Sequence, residues 1–203
     1  EIFNTARKDG LVGLEAHIEA PANSDIFKKY PGFMHHTHAV SLLCDTLKVL
    51  LTGTVEDHNL SEILDMDLEQ HHHEAHLVPS AITTVGDAMP GFGIVAAVLG
   101  VIITMGAIGG SPAELGAKVA AALVGTFIGI LFAYGIFGPI AKAIEMRNAG
   151  EHAYLMCIKT ALLSFARGDA PMTAVEFARR NIEPGDRPTF AELEELTKKA
   201  KAA

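Results

Sequence analysis

The chain has 203 residues, 49% of them hydrophobic, with 16 Lys and Arg against 24 Asp and Glu, a formal net charge of −8 and a mean hydropathy of +0.28. An acidic balance without a Lys/Arg cluster argues against a nucleic-acid partner held through its phosphates. So much apolar content beside so many charged side chains is unusual for a wholly soluble domain, and the apolar residues concentrate in the middle of the chain.

The opening Glu1-Ile2-Phe3-Asn4-Thr5-Ala6-Arg7-Lys8 has no Met, basic n-region or cleavage site, and reads as the middle of a longer polypeptide whose upstream sequence is missing. Lys8-Asp9-Gly10 marks a helix end, Glu19 to Ser24 a loop, and Pro31-Gly32 the end of the next short helix. From His38 to about Leu51 the residues Val40, Leu42, Leu43, Leu47, Val49, Leu50 and Leu51 recur near helical spacing, which predicts a helix buried on more than one face. Asn59 with Glu62 has the form of a capping box opening a helix through Ile63, Leu64, Met66 and Leu68, and Pro79-Ser80 leads into an apolar segment.

Ala88 to Ala113 and Val119 to Ala141 each run more than about 20 residues without an acidic or basic side chain, long enough to span a bilayer. The short Gly109 to Glu114 region joins them into a membrane hairpin. The second span runs without a stop into Lys142, Glu145 and Arg147, so its helix is expected to project beyond the membrane. Leu155, Met156, Ile158, Leu162, Leu163 and Phe165 form the next helical stripe. A break follows at Gly168-Asp169-Ala170-Pro171, then a helix around Val175 to Arg180, and a last helix capped by Thr189 and Glu192 that ends in a Lys-rich tail. The fold class is therefore all-α. Its expected divisions are a cytoplasmic helical segment 1–79, a transmembrane helix 80–109, a periplasmic turn 110–117, a transmembrane helix 118–142 and a cytoplasmic helical tail 143–203. Basic residues set the orientation: Lys142, Arg147, Lys159, Arg167, Arg179 and Arg180 follow the second span while the turn offers only Lys118, so both ends face the cytoplasm.

Cys44 and Cys157 each sit in an apolar helical pattern, which predicts reduced, buried thiols. Small residues punctuate the spans, at Gly86, Gly91, Gly93, Gly100 and Gly106 and again at Gly125, Gly129, Gly135 and Gly138. Gly125 and Gly129 form a GxxxG pair, suited equally to hairpin self-packing and to association between chains. Pro90 and Pro139 remove helix hydrogen bonds near the cytoplasmic ends of the spans. Asp87 lies at the mouth of the first span, where it can reach water. The Thr126 hydroxyl can either bond the preceding helical turn or face a wet lumen. His71, His72, His73 and His76, with His35, His36 and His38 upstream, lack acid or Cys partners at ligand spacing, so a solvated or pH-sensitive face is expected rather than a metal site. No phosphate loop, nucleophile elbow or CxxC occurs, and neither an enzyme nor a cofactor is expected. By composition Arg7 and Glu15 are ordinary exposed charges.

The strings Val85-Gly86-Asp87-Ala88-Met89-Pro90-Gly91-Phe92-Gly93-Ile94-Val95 and Ala121 to Leu131, with Tyr134-Gly135-Ile136-Phe137-Gly138-Pro139, Ala174 to Arg179 and Arg187 to Glu194, resemble the MotA family of flagellar motor stator subunits, part of the MotA/ExbB/TolQ proton-channel family. The resemblance covers essentially the whole chain. It implies the last two of four family spans, in an N-terminally truncated subunit of the bacterial inner membrane. It also implies a homo-oligomeric ring of five around a MotB-like helix pair, with ions, expected to be protons, crossing between them to generate torque on a FliG-like rotor protein. By position it implies coupling roles for Pro90 and Pro139, an ion-path role for Thr126, and a rotor-facing charged pair in Arg7 and Glu15. The alternatives are an ExbB/TolQ-like energising subunit and a non-conducting membrane scaffold.

Overall fold

A computed structural model describes residues 1–53, 55–106 and 108–202. They form the helices α1 (Ile2–Asp9), α2 (Glu15–Glu19), α3 (Pro31–Met34), α4 (Thr37–Leu51), α5 (Asp57–Met105), α6 (Pro112–Phe132), α7 (Gly138–Ala166), α8 (Pro171–Arg180) and α9 (Phe190–Ala202), with short 3-10 turns among the early ones. There is no strand among the described residues, so the all-α expectation holds. The chain divides into two units, residues 1–71 with 150–203 and residues 72–149, and α5 and α7 each contribute to both.

In the first unit α4 is buried on two faces, as its broad apolar pattern predicts. One face places Cys44 and Leu47 in a core with Ala6, Leu14, Ile18, Phe27 and Leu162. The other places Ala39 and Leu42 against Leu60, Leu64 and Leu68 of α5 and Leu155 and Leu163 of α7. The α5 leucines recur every fourth residue and so share one helix face. Phe3 stacks on Phe165 at 4.5 Å between ring centroids, adding an aromatic contact to the first core. Both cysteines are free, and burial pushes the Cys44 thiol up to about 11. Lys159 is buried and pairs with the exposed carboxylate of Asp65, which holds Asp65 below the usual carboxylate range.

Several helix ends fall where local chemistry dictates. Gly168 takes φ +83° at the end of α7, which suits a residue without Cβ. Around it the Asp169 N–H donates to Ser164 O at 3.2 Å and the Gly168 N–H to Phe165 O at 2.9 Å, closing a Schellman motif. Thr189 and Glu192 form the expected capping box, the Thr189 N–H donating to Glu192 Oε2 at 2.7 Å and the Glu192 N–H to Thr189 Oγ1 at 3.3 Å. In the tail, Glu176 accepts from Arg179 Nε at 2.6 Å and Arg180 Nε at 2.7 Å, and these guanidinium groups pull its carboxyl down to about 2.

Three expected boundaries move. Pro31 opens α3 rather than closing a helix, because its fixed φ and missing N–H suit the first helical position. Asn59 does not cap α5, which already begins at Asp57, the Leu60 N–H donating to Glu56 O at 3.0 Å. Pro79 does not separate a soluble helix from a span but lies inside the continuous α5.

In the second unit α5 and α6 form the hairpin, and both carry segments long and apolar enough to cross a membrane. Only 11% and 17% of their most apolar windows are buried, unlike the core helix of a soluble protein, and Phe92, Val95, Leu99, Ile102, Leu123 and Phe127 are all exposed. Ser111 opens α6 by accepting from the Glu114 N–H at 3.3 Å, with Pro112 at the first helical position. The helical path continues from α6 into α7, as the missing stop signal predicts, but passes through one π-helical turn, Ala133–Phe137.

Candidate functional site

The hairpin seam is made of glycine. A Cβ added at Gly129 would lie 2.5 Å from Met89 O and 3.1 Å from Gly93 Cα, and one at Gly93 would lie 3.0 Å from Gly125 O. At Gly125 it would lie 2.8 Å from the Ala96 Cβ. The GxxxG pair is thus committed to close approach of α5 and α6 within one chain, the self-packing alternative of the two.

Two of the three expected ion-path and coupling residues lie on this seam. The turn of α5 from Met89 to Gly93, which contains Pro90, faces the turn of α6 from Gly125 to Gly129, which contains Thr126. The Thr126 hydroxyl does not bond its own preceding turn: it donates across the seam to Gly93 O at 3.3 Å. That hydrogen bond is long, so it is easily exchanged for another acceptor. Pro90 is half-buried here, whereas Pro139 is exposed.

Pro139 acts on the backbone. It cannot donate to Gly135 O, and its ring crowds that carbonyl. The chain responds just ahead of it: the Gly138 N–H donates five residues back to Ala133 O, widening one turn. This π-helical turn packs against α5, since a Cβ at Gly86 would meet the Phe137 Cβ at 3.1 Å. Gly86 is also the residue whose carbonyl loses its helical donor at Pro90. The two helix irregularities therefore meet at one contact. The proline at 139 is the signal in the sequence for the π-helical turn.

Arg7 and Glu15 belong to the other unit. Arg7 sits in the last turn of α1 and Glu15 opens α2, on either side of the 3-10 turn Leu11–Leu14. Both are exposed, and neither forms an ion pair among the described residues. The histidines divide. His72, His73 and His76 are exposed, as a solvated face requires, but His71 is half-buried with its ring edge-on to His38 at 4.5 Å and its Nε2 3.8 Å from Glu151 Oε1. Among the described residues no three His, Cys, Asp or Glu side chains are placed to hold a metal ion.

Residues 36–156 match the pattern that defines the MotA/TolQ/ExbB proton channel family. The chain is 38% identical over 196 residues to Motility protein A of Escherichia coli K12, spanning 97% of this chain and 66% of that protein. It is 38% identical over 190 residues to Motility protein A of Salmonella typhimurium, spanning 94% and 64%. Chemotaxis protein LafT of Vibrio parahaemolyticus is 36% identical over 193 residues, spanning 95% and 68%. The chain therefore covers about two thirds of the length of these relatives. Among solved structures, C. jejuni MotAB superposes with a TM-score of 0.74 at 20% identity over 93% of this chain and 67% of that one. The flagellar MotAB stator complex of Bacillus subtilis gives 0.73 at 24%, over 92% and 66%, and both likenesses establish the shared fold. An all-α chain with an exposed apolar hairpin, a glycine seam and a family match across more than half its length belongs to the MotA/TolQ/ExbB proton channel family.

Proposed function

We propose that the chain is a stator subunit of the bacterial flagellar motor, working with a MotB-like helix pair to conduct protons and turn a FliG-like rotor protein. The observation that carries this reading is the likeness, across nearly all of this chain and about two thirds of theirs, to proteins named for motility, which favours a motor over an ExbB/TolQ-like energising role. The proposed topology places 80–109 and 118–142 across the inner membrane, 110–117 on the periplasmic side, and 1–79 and 143–203 in the cytoplasm. Five copies would surround the partner helices.

The chemistry of the hairpin supports a partner that brings the acid. Ala88 to Ala113 and Val119 to Ala141 contain no Asp or Glu, so these two spans themselves offer no carboxylate to take up a proton at depth. Protonating a carboxylate there removes a charge from a low-dielectric seam and shifts which packing of the surrounding helices is preferred. At Pro90 and at the π-helical turn before Pro139 helical hydrogen bonding is already broken, so both can bend at low cost. Exposed Arg7 and Glu15 then make brief, screened contacts with rotor charges.

Complementation of a non-motile stator-deletion strain tests this. The full gene should restore swimming, Pro139→Ala should abolish it at equal expression, and charge reversal at Arg7 should slow it. Normal swimming by Pro139→Ala would sink the coupling role, and an Arg7→Glu, Glu15→Arg double variant that swims like the parent would sink the rotor contact.

A further inference from the structure

We propose that Asn148 is a positioning residue that locks α5 at Pro79, supplying from its side chain the N–H that the proline lacks. Pro79 lies in the interior of α5 and is fully buried. A proline there strips the helical donor from the carbonyl four residues earlier, which is Ala75 O, and crowds it with the ring. A carbonyl left without a donor inside a protein loses stability, so a helix that keeps such a proline needs a substitute. Asn148 of α7 provides one: its Nδ2 donates to Ala75 O at 2.6 Å. The side chain is half-buried, and Pro79 and Asn148 line the same cleft between the two helices, of about 270 Å³.

The prolines of α5 thus differ in kind. At Pro79 the orphaned carbonyl is held by a second helix. At Pro90 the corresponding carbonyl, Gly86 O, receives no side-chain donor among the described residues, and Gly86 packs against the π-helical turn Ala133–Phe137. The lock confines bending of α5 to the Pro90 turn. The hydrogen bond and its dependence on the proline stand apart from the motor reading, and only the use made of the bend rests on that reading.

Hydrogen exchange on the full chain in lipid nanodiscs tests the lock without reference to swimming. Asn148→Leu, which keeps bulk and removes the donor, should speed exchange of the Val78, Ser80, Ala81 and Ile82 amides roughly tenfold, the scale of one lost hydrogen bond. Asn148→Asp, the same shape with an acceptor in place of the donor, should do at least as much. Pro79→Ala restores a backbone N–H to Ala75 O, so adding Asn148→Leu to Pro79→Ala should leave these amides exchanging as in Pro79→Ala alone. Rescue of a poorly folded Asn148→Leu by Pro79→Ala would support the lock equally. Parental exchange in Asn148→Leu, or the same acceleration in both backgrounds, or a double variant that fails to fold, would overturn it and reduce Asn148 to a packing residue.

Discussion

Gly129→Ala should push the α5–α6 hairpin apart, and the geometry allows the size of the effect to be worked out. The new Cβ would meet Met89 O at 2.5 Å, Gly93 Cα at 3.1 Å and Gly93 N at 3.3 Å, all backbone atoms that cannot rotate away. Overpacking a tight site costs about 1–3 kcal/mol, and a rigid backbone neighbour places this site near the upper end. Against it stands the gain of about 1 kcal/mol from replacing glycine by alanine inside a helix. The net loss of about 2 kcal/mol lowers the melting temperature by roughly 4–8 °C for a chain of this size. Gly91→Ala is the matched control on the facing helix: nothing lies within 4 Å of its added Cβ, so the helix gain stands alone and stability should hold or rise. Thermal unfolding of the detergent-solubilised chain, followed by circular dichroism at 222 nm, reads both. If Gly129→Ala melts with the parent, the glycines are not what sets the helix separation and the seam argument fails.

The remaining predictions concern single groups. Thr126→Val keeps the shape and loses only a 3.3 Å hydrogen bond, so the melting point should barely move, the loss being about 0.5 kcal/mol, while swimming slows if the hydroxyl serves the ion path. Thr126→Ser should swim normally, and a fast-swimming valine variant would remove the residue from that path. The Arg179 and Arg180 guanidinium groups hold the Glu176 carboxyl down to about 2 against an ordinary 4.5. Their stabilisation is therefore fully present above pH 4.5 and lost as the pH falls toward 2. Limited proteolysis should reach α8 progressively over that interval, and Glu176→Gln should abolish the pH dependence. Burial raises the Cys44 thiol from 9.0 to about 11, so its contribution is intact below pH 9 and fades as the pH rises through 11. The stability difference between parent and Cys44→Ala should shrink over that range, and iodoacetamide at pH 8 should label the half-buried Cys157 well before Cys44.

What could be read from the residues alone was whatever neighbouring residues decide among themselves. Gly10 and Gly168 end helices because a left-handed residue needs no Cβ, and Thr189 with Glu192 closes its own box; each is local chemistry, and each lies where expected. The alternation of apolar and charged stretches exposed the hairpin in the same way, because bilayer thickness acts on composition over a fixed length. Pro31 and Asn59 misled because a proline or an Asn-to-Glu spacing suits either side of a boundary until the flanking backbone is known.

The less legible part of the site depends on partners far along the chain. Thr126 donates not to its own turn but to Gly93, a residue that only the folded hairpin brings near. Gly125 and Gly129 fitted two kinds of packing until Met89, Gly93 and Ala96 were seen opposite them. The prolines show the same limit most sharply. Pro79 and Pro90 occupy one continuous helix and remove the same kind of hydrogen bond, so no property of the helix distinguishes a stiff point from a hinge. The distinction lies in the packing at each: Asn148 donates to the freed carbonyl at one, while at the other Gly86 packs against the widened turn before Pro139. On the proposed motor reading α5 needs both, because a bend transmits force only if the segments beside it are held straight.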